Sequence, residues 1–532
     1  MGYQSLKFLL FSSAVVLLYY AVGKFFKRGQ QYVLLLANLA FYVLCGVKYL
    51  PFLAVTLLAS FFSARAVGRI FDAADKKLLT AGDAAQKKQI RAAAKKKAKR
   101  SMLFGVLISL ALLVVCKYSL FVLKNVNAVL SRLGAEPIGL FKMILPLGIS
   151  FYTFMAVGYV LDVYWKRIRA EKSFVSYAVF LTYFPHIVQG PIGRYKNFRE
   201  QFDPKAGVAL NTQNLAFGAE LVVWGLFKKL VIADRLSLFV STIFDEPAKF
   251  GGLIMVIAAV LYSVQIYADF SGCIDIVSGV SEMLGIKLAK NFNHPYFSRT
   301  IPEFWRRWHI SLGEWFKDFV YFPVSTSSPV KKLKKAFKKR GFKKGELLVA
   351  SSVPTVVVWV ITGLWHGASW NFVAWGAFYA VLMVGGNVFA DFNKAVTQKL
   401  KIDTEQFGWK LFQMLRTFAL CCVGRVFFRA EGLKNALVYF KNMFSSLSMQ
   451  YILEDKIYTY GLDRQNFILV IFAILVLLLA DILEEKIPLR ETLSKQNIVF
   501  RYCVILLGVF AVLIFGIYGP QFNASEFIYE KF

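Results

Sequence analysis

Two histidines stand out because their side chains could transfer protons inside a membrane. His366 lies between two apolar stretches, residues 347–364 and 372–388, each about long enough to cross or nearly cross a bilayer. The chain has only four histidines in 532 residues, and an ionisable side chain at membrane depth indicates function because its burial is costly. The alternative is a neutral histidine that joins two helices through a hydrogen bond to a backbone carbonyl.

His309 is the second histidine in an aromatic segment beside apolar stretches. A neutral imidazole can take a proton from a hydroxyl as the hydroxyl oxygen attacks an acyl carbon, and such base catalysis contributes roughly 10²–10⁴-fold to a rate. The other histidine, or the amide of Asn371, could then hold the acyl oxygen or orient the acceptor. His186 and His294 each adjoin a proline and are interpreted as loop or interface residues.

The motifs for other chemistries are missing from the sequence. It contains no Gly-x-Ser-x-Gly, no His-Glu-x-x-His and no clustered His/Cys spacing. The six cysteines stand singly or as one adjacent pair in mostly apolar segments, which is typical of small packing residues. We therefore expect no metal and no bound cofactor.

The stretch 291–321 must position His309. Apolar side chains recur there at spacings of three or four: Trp305, Trp308, Leu312, Trp315 and Phe319. This spacing predicts one helix with an aromatic face. Tryptophan is favoured at membrane–water interfaces, so we expect the helix at or just below the cytoplasmic surface. An interfacial anchor helix explains the tryptophans but does not require His309.

Composition identifies the class of protein. The chain is 57% hydrophobic and 16% aromatic, with a net charge of +32. A soluble domain cannot bury that much apolar surface, whereas a multi-span membrane protein must have it. We predict an all-α polytopic membrane protein that forms one membrane domain over residues 1–532. It should have roughly eleven transmembrane helices together with re-entrant and interfacial helices.

Positive charge is concentrated in residues 73–101 and 330–346, which lie between apolar segments. The positive-inside rule places both in the cytoplasm as basic loops. Attraction to anionic lipid headgroups, or to an acidic soluble donor, is an alternative use of the charge. Nucleic acid is not an expected partner. Basic residues near the first and last apolar segments place the N-terminus and the tail 520–532 outside the cytoplasm.

The motifs that contain these histidines resemble a known family. Residues 304–312 (Phe-Trp-Arg-Arg-Trp-His-Ile-Ser-Leu) and 365–367 (Trp-His-Gly) are similar to those of the membrane-bound O-acyltransferases, in their bacterial polysaccharide-modifying branch. Residues 189–192, 267–272 and 425–430 support the match. The similarity is greatest to the membrane proteins of alginate O-acetylation. It is looser to those of teichoic acid D-alanylation and peptidoglycan O-acetylation.

The resemblance implies a funnel between the two membrane faces, with His366 as the catalytic histidine and His309 as the second essential one near the neck. It implies a funnel lined by Gln189, Pro191, Asp269, Ser271, Trp305, Arg306 and Asn371. A cytoplasmic thioester, acetyl coenzyme A or an acyl carrier protein, would present its acyl group there. The group would leave outward on an oxygen, toward a polysaccharide. An extracytoplasmic SGNH-type acyltransferase is the expected partner, and the bacterial cytoplasmic membrane the expected location.

The last residues of the chain carry one more signal. In relatives of this branch a similar aromatic C-terminal hexapeptide supplies a tyrosine that carries the acyl group, and this chain ends Phe-Ile-Tyr-Glu-Lys-Phe. We hypothesise that Tyr529 is the first acyl acceptor, since an acylated phenol is an activated ester. The alternative is a tail that packs on the outer surface through Phe527 and Phe532.

Other functions stay open from the sequence. The acyl group could be D-alanyl or another small acyl group, transferred to teichoic acid or peptidoglycan through a partner protein. Intramembrane ionisable residues are also expected in a polytopic transporter, although the sequence contains no internal repeat. A non-enzymatic scaffold of a secretion complex is a third alternative, which would tolerate alanine at both histidines. The acceptor polymer could be alginate, cellulose, peptidoglycan, teichoic acid or another glycan.

Overall fold

The computed structural model describes residues 2–141, 143–445 and 449–518. Within these ranges the chain is helical and contains no β-strand, so the prediction of an all-α protein is confirmed. The chain divides into two compact units. The first consists of Met1–Ala219 and Val277–Ala289, and the second of Glu220–Ile276 and Lys290–Phe532.

Seven helices belong to the first unit, and an eighth begins in it and ends in the second. They are α1 (Leu6–Phe25), α2 (Gly29–Gly46), α3 (Leu50–Leu79), α4 (Ala84–Arg132), α5 (Ile149–Tyr164), α6 (Phe174–Thr182), α7 (Tyr195–Gln201) and α8 (Thr212–Leu226). A 3₁₀ turn, Val47–Tyr49, separates α2 from α3.

Small residues let α3 and α4 pack closely as an antiparallel hairpin. A Cβ atom added at Gly105 of α4 would lie 2.5 Å from the Cβ of Ser63 and 3.2 Å from the carbonyl oxygen of Ala59. The Ser63 hydroxyl also donates a hydrogen bond to the carbonyl of Ser101. Close approach through glycine and serine is the usual way in which transmembrane helices associate.

The two basic segments, predicted as cytoplasmic loops between spans, are largely helical, and their place in the cytoplasm stays a prediction. Residues 73–79 end α3 and residues 84–101 begin α4, while α14 and the start of α15 contain most of residues 330–346. Alanine, lysine and arginine have high helix propensity, and the Asp83 side chain caps α4 by accepting a hydrogen bond from the Gln86 amide. Clustered charge marks the exposed side of these segments but does not prevent helix formation.

The second unit contains the end of α8 and the following helices: α9 (Asp234–Asp245), α10 (Leu253–Met283, whose last turns belong to the first unit), α11 (Ile301–Arg307), α12 (Ile310–Phe316), α13 (Phe322–Ser325), α14 (Ser328–Lys339), α15 (Lys343–His366), α16 (Trp370–Val388), α17 (Ala390–Lys399), α18 (Phe407–Arg429), α19 (Gly432–Ser445), α20 (Gln450–Leu453), α21 (Arg464–Glu484), α22 (Leu489–Ser494) and α23 (Ile498–Phe515). Two π-helical turns, Phe227–Ala233 and Lys317–Tyr321, and two 3₁₀ turns, Pro295–Phe297 and Lys456–Thr459, connect some of them.

Among the described residues, nine helical stretches are long and apolar enough to cross a membrane. One of them, Gly29–Leu79, comprises α2 and α3 in succession. Three further apolar segments form the shorter helices α5, α6 and α8, of 16, 9 and 15 residues. A perpendicular span needs about 20 residues, which explains why fewer candidates appear than the eleven expected.

The aromatic stretch 305–319 is not one helix, so that prediction was wrong. Helix α11 ends at Arg307 and α12 begins at Ile310, with Trp308 extended and His309 in the left-handed region at φ 48°. The spacing of apolar residues reports which side chains are buried: Trp308, Leu312, Trp315 and Phe319 all are. It does not report the backbone break between them, which depends on pairing with a distant segment.

Candidate active site

The backbone around His309 is fixed by a short antiparallel pairing. Phe292 and Trp308 form an isolated β-bridge, and the amides of Asn293 and Ile310 donate to the carbonyls of Arg307 and Asn291 at 2.9 and 3.0 Å. The Asn291 side chain accepts a further bond from the Ser311 amide, also at 3.0 Å. These bonds compensate for the left-handed backbone of His309, which costs about 1–3 kcal/mol in a non-glycine residue.

The His309 imidazole is buried against aromatic rings. Its ring centroid lies 4.9 Å from that of Phe270, edge to face, and 6.0 Å from that of Trp365. Only 2% of the residue is exposed. Burial lowers the pKa of His309 to about 3, which keeps the imidazole in the neutral form that can accept a proton.

His366 is the last residue of α15 and is also buried in an aromatic environment. Its ring centroid lies 4.8 Å from that of Trp365, 4.9 Å from Trp375 and 5.1 Å from Phe428. Because Trp365 contacts both imidazoles, the centroids of His309 and His366 can be no farther apart than the sum of their separations from that ring. The structure therefore brings the two predicted histidines to one place in the second unit.

Helices α15 and α16 hold His366 through a close backbone crossing. A Cβ atom at Gly376 would lie 2.4 Å from the carbonyl oxygen of Trp359, and a Cβ at Gly363 would lie 2.4 Å from that of Phe372. Trp305 of α11 inserts beside this crossing and forms edge-to-face contacts. Its partners are the rings of Trp359, Trp375 and Tyr379, at 4.7, 5.6 and 4.9 Å.

One face of α18 supports both histidine segments. The guanidinium carbon of Arg425 lies 4.2 Å from the ring centroid of Trp308, next to His309, and Phe428 one turn later contacts His366. At the end of the helix, the Asn371 amide donates to the carbonyls of Phe427 and Ala430, both at 3.1 Å. The prediction that Asn371 handles the acyl oxygen stays untested. In this structure its amide nitrogen anchors α16 to α18.

The other predicted lining residues have different surroundings. Asp269 is 2.7 Å from the Lys229 ammonium, and the Ser271 hydroxyl is 3.0 Å from that of Lys228. Arg306 is exposed on α11. The remaining two, Gln189 and Pro191, are buried in the connection between α6 and α7 of the first unit. Their role in lining a funnel stays a prediction.

Several residues near the pair were not among the predicted site residues. Phe270, which contacts His309, lies between Asp269 and Ser271. Nothing in the sequence distinguishes it, because it is an apolar residue in an apolar helix. Lys228 and Lys229 could have been predicted, because two adjacent cations within the apolar stretch 213–233 are unusual at membrane depth.

Within the described ranges, no group of three or more His, Cys, Asp or Glu side chains could hold a metal ion. Tyr529 and the tail 520–532 lie outside the described residues.

Comparison with known proteins agrees with the motifs. The sequence model of the MBOAT, membrane-bound O-acyltransferase family matches residues 166–402, which contain both histidines. The chain is 30% identical to the probable alginate O-acetylase AlgI of Pseudomonas syringae pv. tomato over 443 residues, 82% of this chain and 75% of that protein. It is 30% identical to the peptidoglycan O-acetyltransferase of Helicobacter pylori over 434 residues, 77% of this chain and 73% of that protein.

A third relative differs in the acyl group named. The chain is 29% identical to the teichoic acid D-alanyltransferase of Streptococcus thermophilus over 261 residues, 48% of this chain and 60% of that protein. Together with the buried histidine pair and the apolar helices, these similarities identify the protein as a multi-pass membrane enzyme that transfers acyl groups to oxygen. The chain belongs to the membrane-bound O-acyltransferase family.

Proposed function

We propose that this enzyme passes an acetyl group from a cytoplasmic thioester donor to a hydroxyl on the other side of a bacterial cytoplasmic membrane, for O-acetylation of an extracytoplasmic polysaccharide. The observation that carries the proposal is the pair of buried histidines that both contact the ring of Trp365. The relatives named for alginate and peptidoglycan O-acetylation support the choice of acetyl and of a polysaccharide.

In the proposed step His366 acts as general base. It removes the proton from the acceptor hydroxyl while the hydroxyl oxygen forms a bond to the acyl carbon. The carbon–sulfur bond then breaks, and the thiolate leaves and takes up the proton. A neutral His309 can donate a ring N–H to the acyl oxygen as negative charge develops there. Aromatic rings around both imidazoles keep water away from the thioester, so that transfer is favoured over hydrolysis.

The donor is proposed to be acetyl coenzyme A or an acetylated carrier protein. Exposed lysines and arginines of α4 and α14, such as Lys88, Arg91 and Lys338, support the binding of a phosphate-bearing or acidic donor at the cytoplasmic face. An SGNH-type acyltransferase outside the membrane is proposed to complete the transfer to the polymer. A second candidate is D-alanyl transfer to teichoic acid, which is favoured by the relative named for that reaction.

The test uses purified protein in detergent with radiolabelled acetyl coenzyme A. Wild type, His366→Ala, His309→Ala and Tyr529→Phe are compared, with His186→Ala as the matched control because His186 is equally buried but lies in the first unit. We expect covalent label on the wild type and the control. We expect none on His366→Ala, His309→Ala or Tyr529→Phe, provided that each variant keeps its thermal stability.

Other outcomes separate the parts of the proposal. Label that survives Tyr529→Phe but not His366→Ala would keep the enzyme and remove the tyrosine relay. Label on both folded histidine variants would contradict the assignment of the site. If acetyl coenzyme A gives no label, acetylated and D-alanylated carrier proteins are tried in the same assay. Transfer from the D-alanylated carrier alone would favour the second candidate.

A further inference from the structure

Two adjacent lysines are buried in the second unit, close to His309 but outside the proposed chemistry. Lys228 and Lys229 belong to the π-helical turn Phe227–Ala233, and their side chains are 5% and 0% exposed. In a regular α-helix, neighbouring side chains diverge by about 100°. The wider turn lets both lysines contact the same partner helix, α10.

Each lysine holds one residue on either side of Phe270. The Lys229 ammonium lies 2.7 Å from a carboxylate oxygen of Asp269 and 2.9 Å from one of Asp234. The Lys228 ammonium donates to the Ser271 hydroxyl at 3.0 Å and lies 2.5 Å from a carboxylate oxygen of Asp275.

The backbones of the two elements are also in close contact. A Cβ atom at Gly225 would lie 2.5 Å from the carbonyl oxygen of Gly272. The lysines therefore bind α10 where the two backbones are already in close contact, which restricts movement of α10 along the neighbouring element. Phe270 lies between Asp269 and Ser271 in the sequence, and its ring centroid is 4.9 Å from that of His309 and 5.1 Å from that of Phe292.

Stability alone does not explain these charges. Taking ammonium and carboxylate groups out of water costs free energy that their attraction only partly returns, and well-packed apolar side chains often stabilise a protein as much or more. A buried ionic cluster does, however, define one relative position of two helices, which apolar packing alone leaves less constrained.

We propose that Lys228 and Lys229 are positioning residues for the acyl transfer. They fix residues 269–271 and thereby hold the Phe270 ring against the His309 imidazole, so that His309 keeps one orientation. This inference rests on the proposed function, because it assigns a task to the surroundings of His309.

The test removes the contacts of the lysines with Asp269 and Ser271 but keeps both lysines. Asp269→Asn leaves Lys229 paired with Asp234, and Ser271→Ala leaves Lys228 paired with Asp275. We expect the double variant to lower kcat for acyl transfer about tenfold, with KM within about twofold, because a small misplacement of a reacting group mainly slows the chemical step. Ser271→Thr keeps the hydroxyl that Lys228 contacts, so its kcat should be closer to that of the wild type than the kcat of Ser271→Ala is.

Ser281→Ala is the matched control. Ser281 is also a buried serine of α10, and it hydrogen-bonds to Tyr183 and to the carbonyl of Ile286 within the first unit. It does not adjoin Phe270, so its loss should leave kcat unchanged. If the double variant does not fold, Ser271→Ala alone carries the test, since both lysines then keep their carboxylate partners.

A second readout follows the imidazole directly. In protein labelled only at histidine, the His309 ring signal is identified by its loss in His309→Ala, and it should shift in the double variant toward its position in Phe270→Leu. Unchanged kcat together with an unshifted signal in a folded variant overturns the inference. If His309→Ala itself retains full activity, the proposed function fails at His309, and that result is distinguishable because it does not involve the lysines.

Discussion

Trp365 links the two histidines at the scale of single residues. Its ring contacts the imidazoles of both His309 and His366, which also contact Phe270, Trp375 and Phe428. Aromatic contacts of this kind prefer edge-to-face geometry and restrict ring rotation. The same packing buries His309, and burial lowers its pKa, so its orientation and its neutral state have one cause.

The neutral state of His309 makes stability depend on pH. The pKa of His309 is lowered by burial to about 3, whereas in the unfolded chain it is about 6.5. Between these values the unfolded state binds a proton that the folded state does not. The free energy of unfolding therefore falls as pH falls below about 6.5, with a limiting slope of about 1.4 kcal/mol per pH unit.

Replacing His309 by asparagine should remove this contribution. We expect the loss of thermal stability between pH 7.5 and pH 5.5, measured in detergent, to be smaller in His309→Asn than in the wild type. His186, whose pKa burial lowers to about 4, supplies a parallel case in the first unit. An unchanged pH dependence in His309→Asn would mean that His309 is protonated in the folded enzyme.

At the scale of elements, glycine determines how near α15 and α16 approach. Gly376→Ala would place a methyl group 2.4 Å from the Trp359 carbonyl, and a backbone atom cannot move aside. We expect a loss of about 1–3 kcal/mol in stability and lower activity, because α15 ends at His366. Gly385→Ala in the same helix meets nothing within 4 Å and should be neutral or stabilising by up to about 1 kcal/mol. Thermal unfolding and transfer rates measure both.

Asn371 makes a second, independent link between elements. Asn371→Ala removes both donors to the carbonyls of Phe427 and Ala430, which should cost about 1–3 kcal/mol because buried acceptors lose their partners. Since Phe428 lies between those carbonyls and contacts His366, kcat should fall as well. Asn393→Ala, at an exposed position of α17, is the control. If Asn371→Ala transfers acyl groups as fast as the wild type, the link does not position His366.

The sequence predicted more of the candidate site residues than of the contacts that hold them in place. Rare residues in long motifs predict His366 and His309 as candidate site residues, and hydrophobicity predicts the long helices, because each is a property of a local segment. The break at Trp308 and His309 could not be predicted, because it depends on hydrogen bonds to residues 291–293. The contacts of Asp269 and Ser271 with two lysines some 40 residues earlier likewise arise only when helices meet.

At the scale of the whole molecule, α4 is longer than a membrane span requires. Its 49 residues span roughly 70 Å at 1.5 Å per residue, more than twice the hydrocarbon thickness of about 30 Å. The buried residues of α4 begin at Ala98 and end at Cys116, in the middle part of the helix. We therefore expect the basic first turns to project from the membrane, where lysines can remain hydrated.

The charge distribution predicts which face each end occupies. Lys88 in α4 and Lys338 in α14 are exposed, and the positive-inside rule places both in the cytoplasm. Glu136, just beyond the other end of α4, is exposed as well and should lie on the opposite face.

A cysteine introduced at each of these three positions in turn, in a background where Cys45 and Cys503 are serine, can be labelled with a membrane-impermeant maleimide. We expect Glu136→Cys to react in intact cells and Lys88→Cys and Lys338→Cys only after permeabilisation. Labelling of Lys88→Cys from outside would reverse the orientation, and with it the side from which the proposed thioester donor approaches.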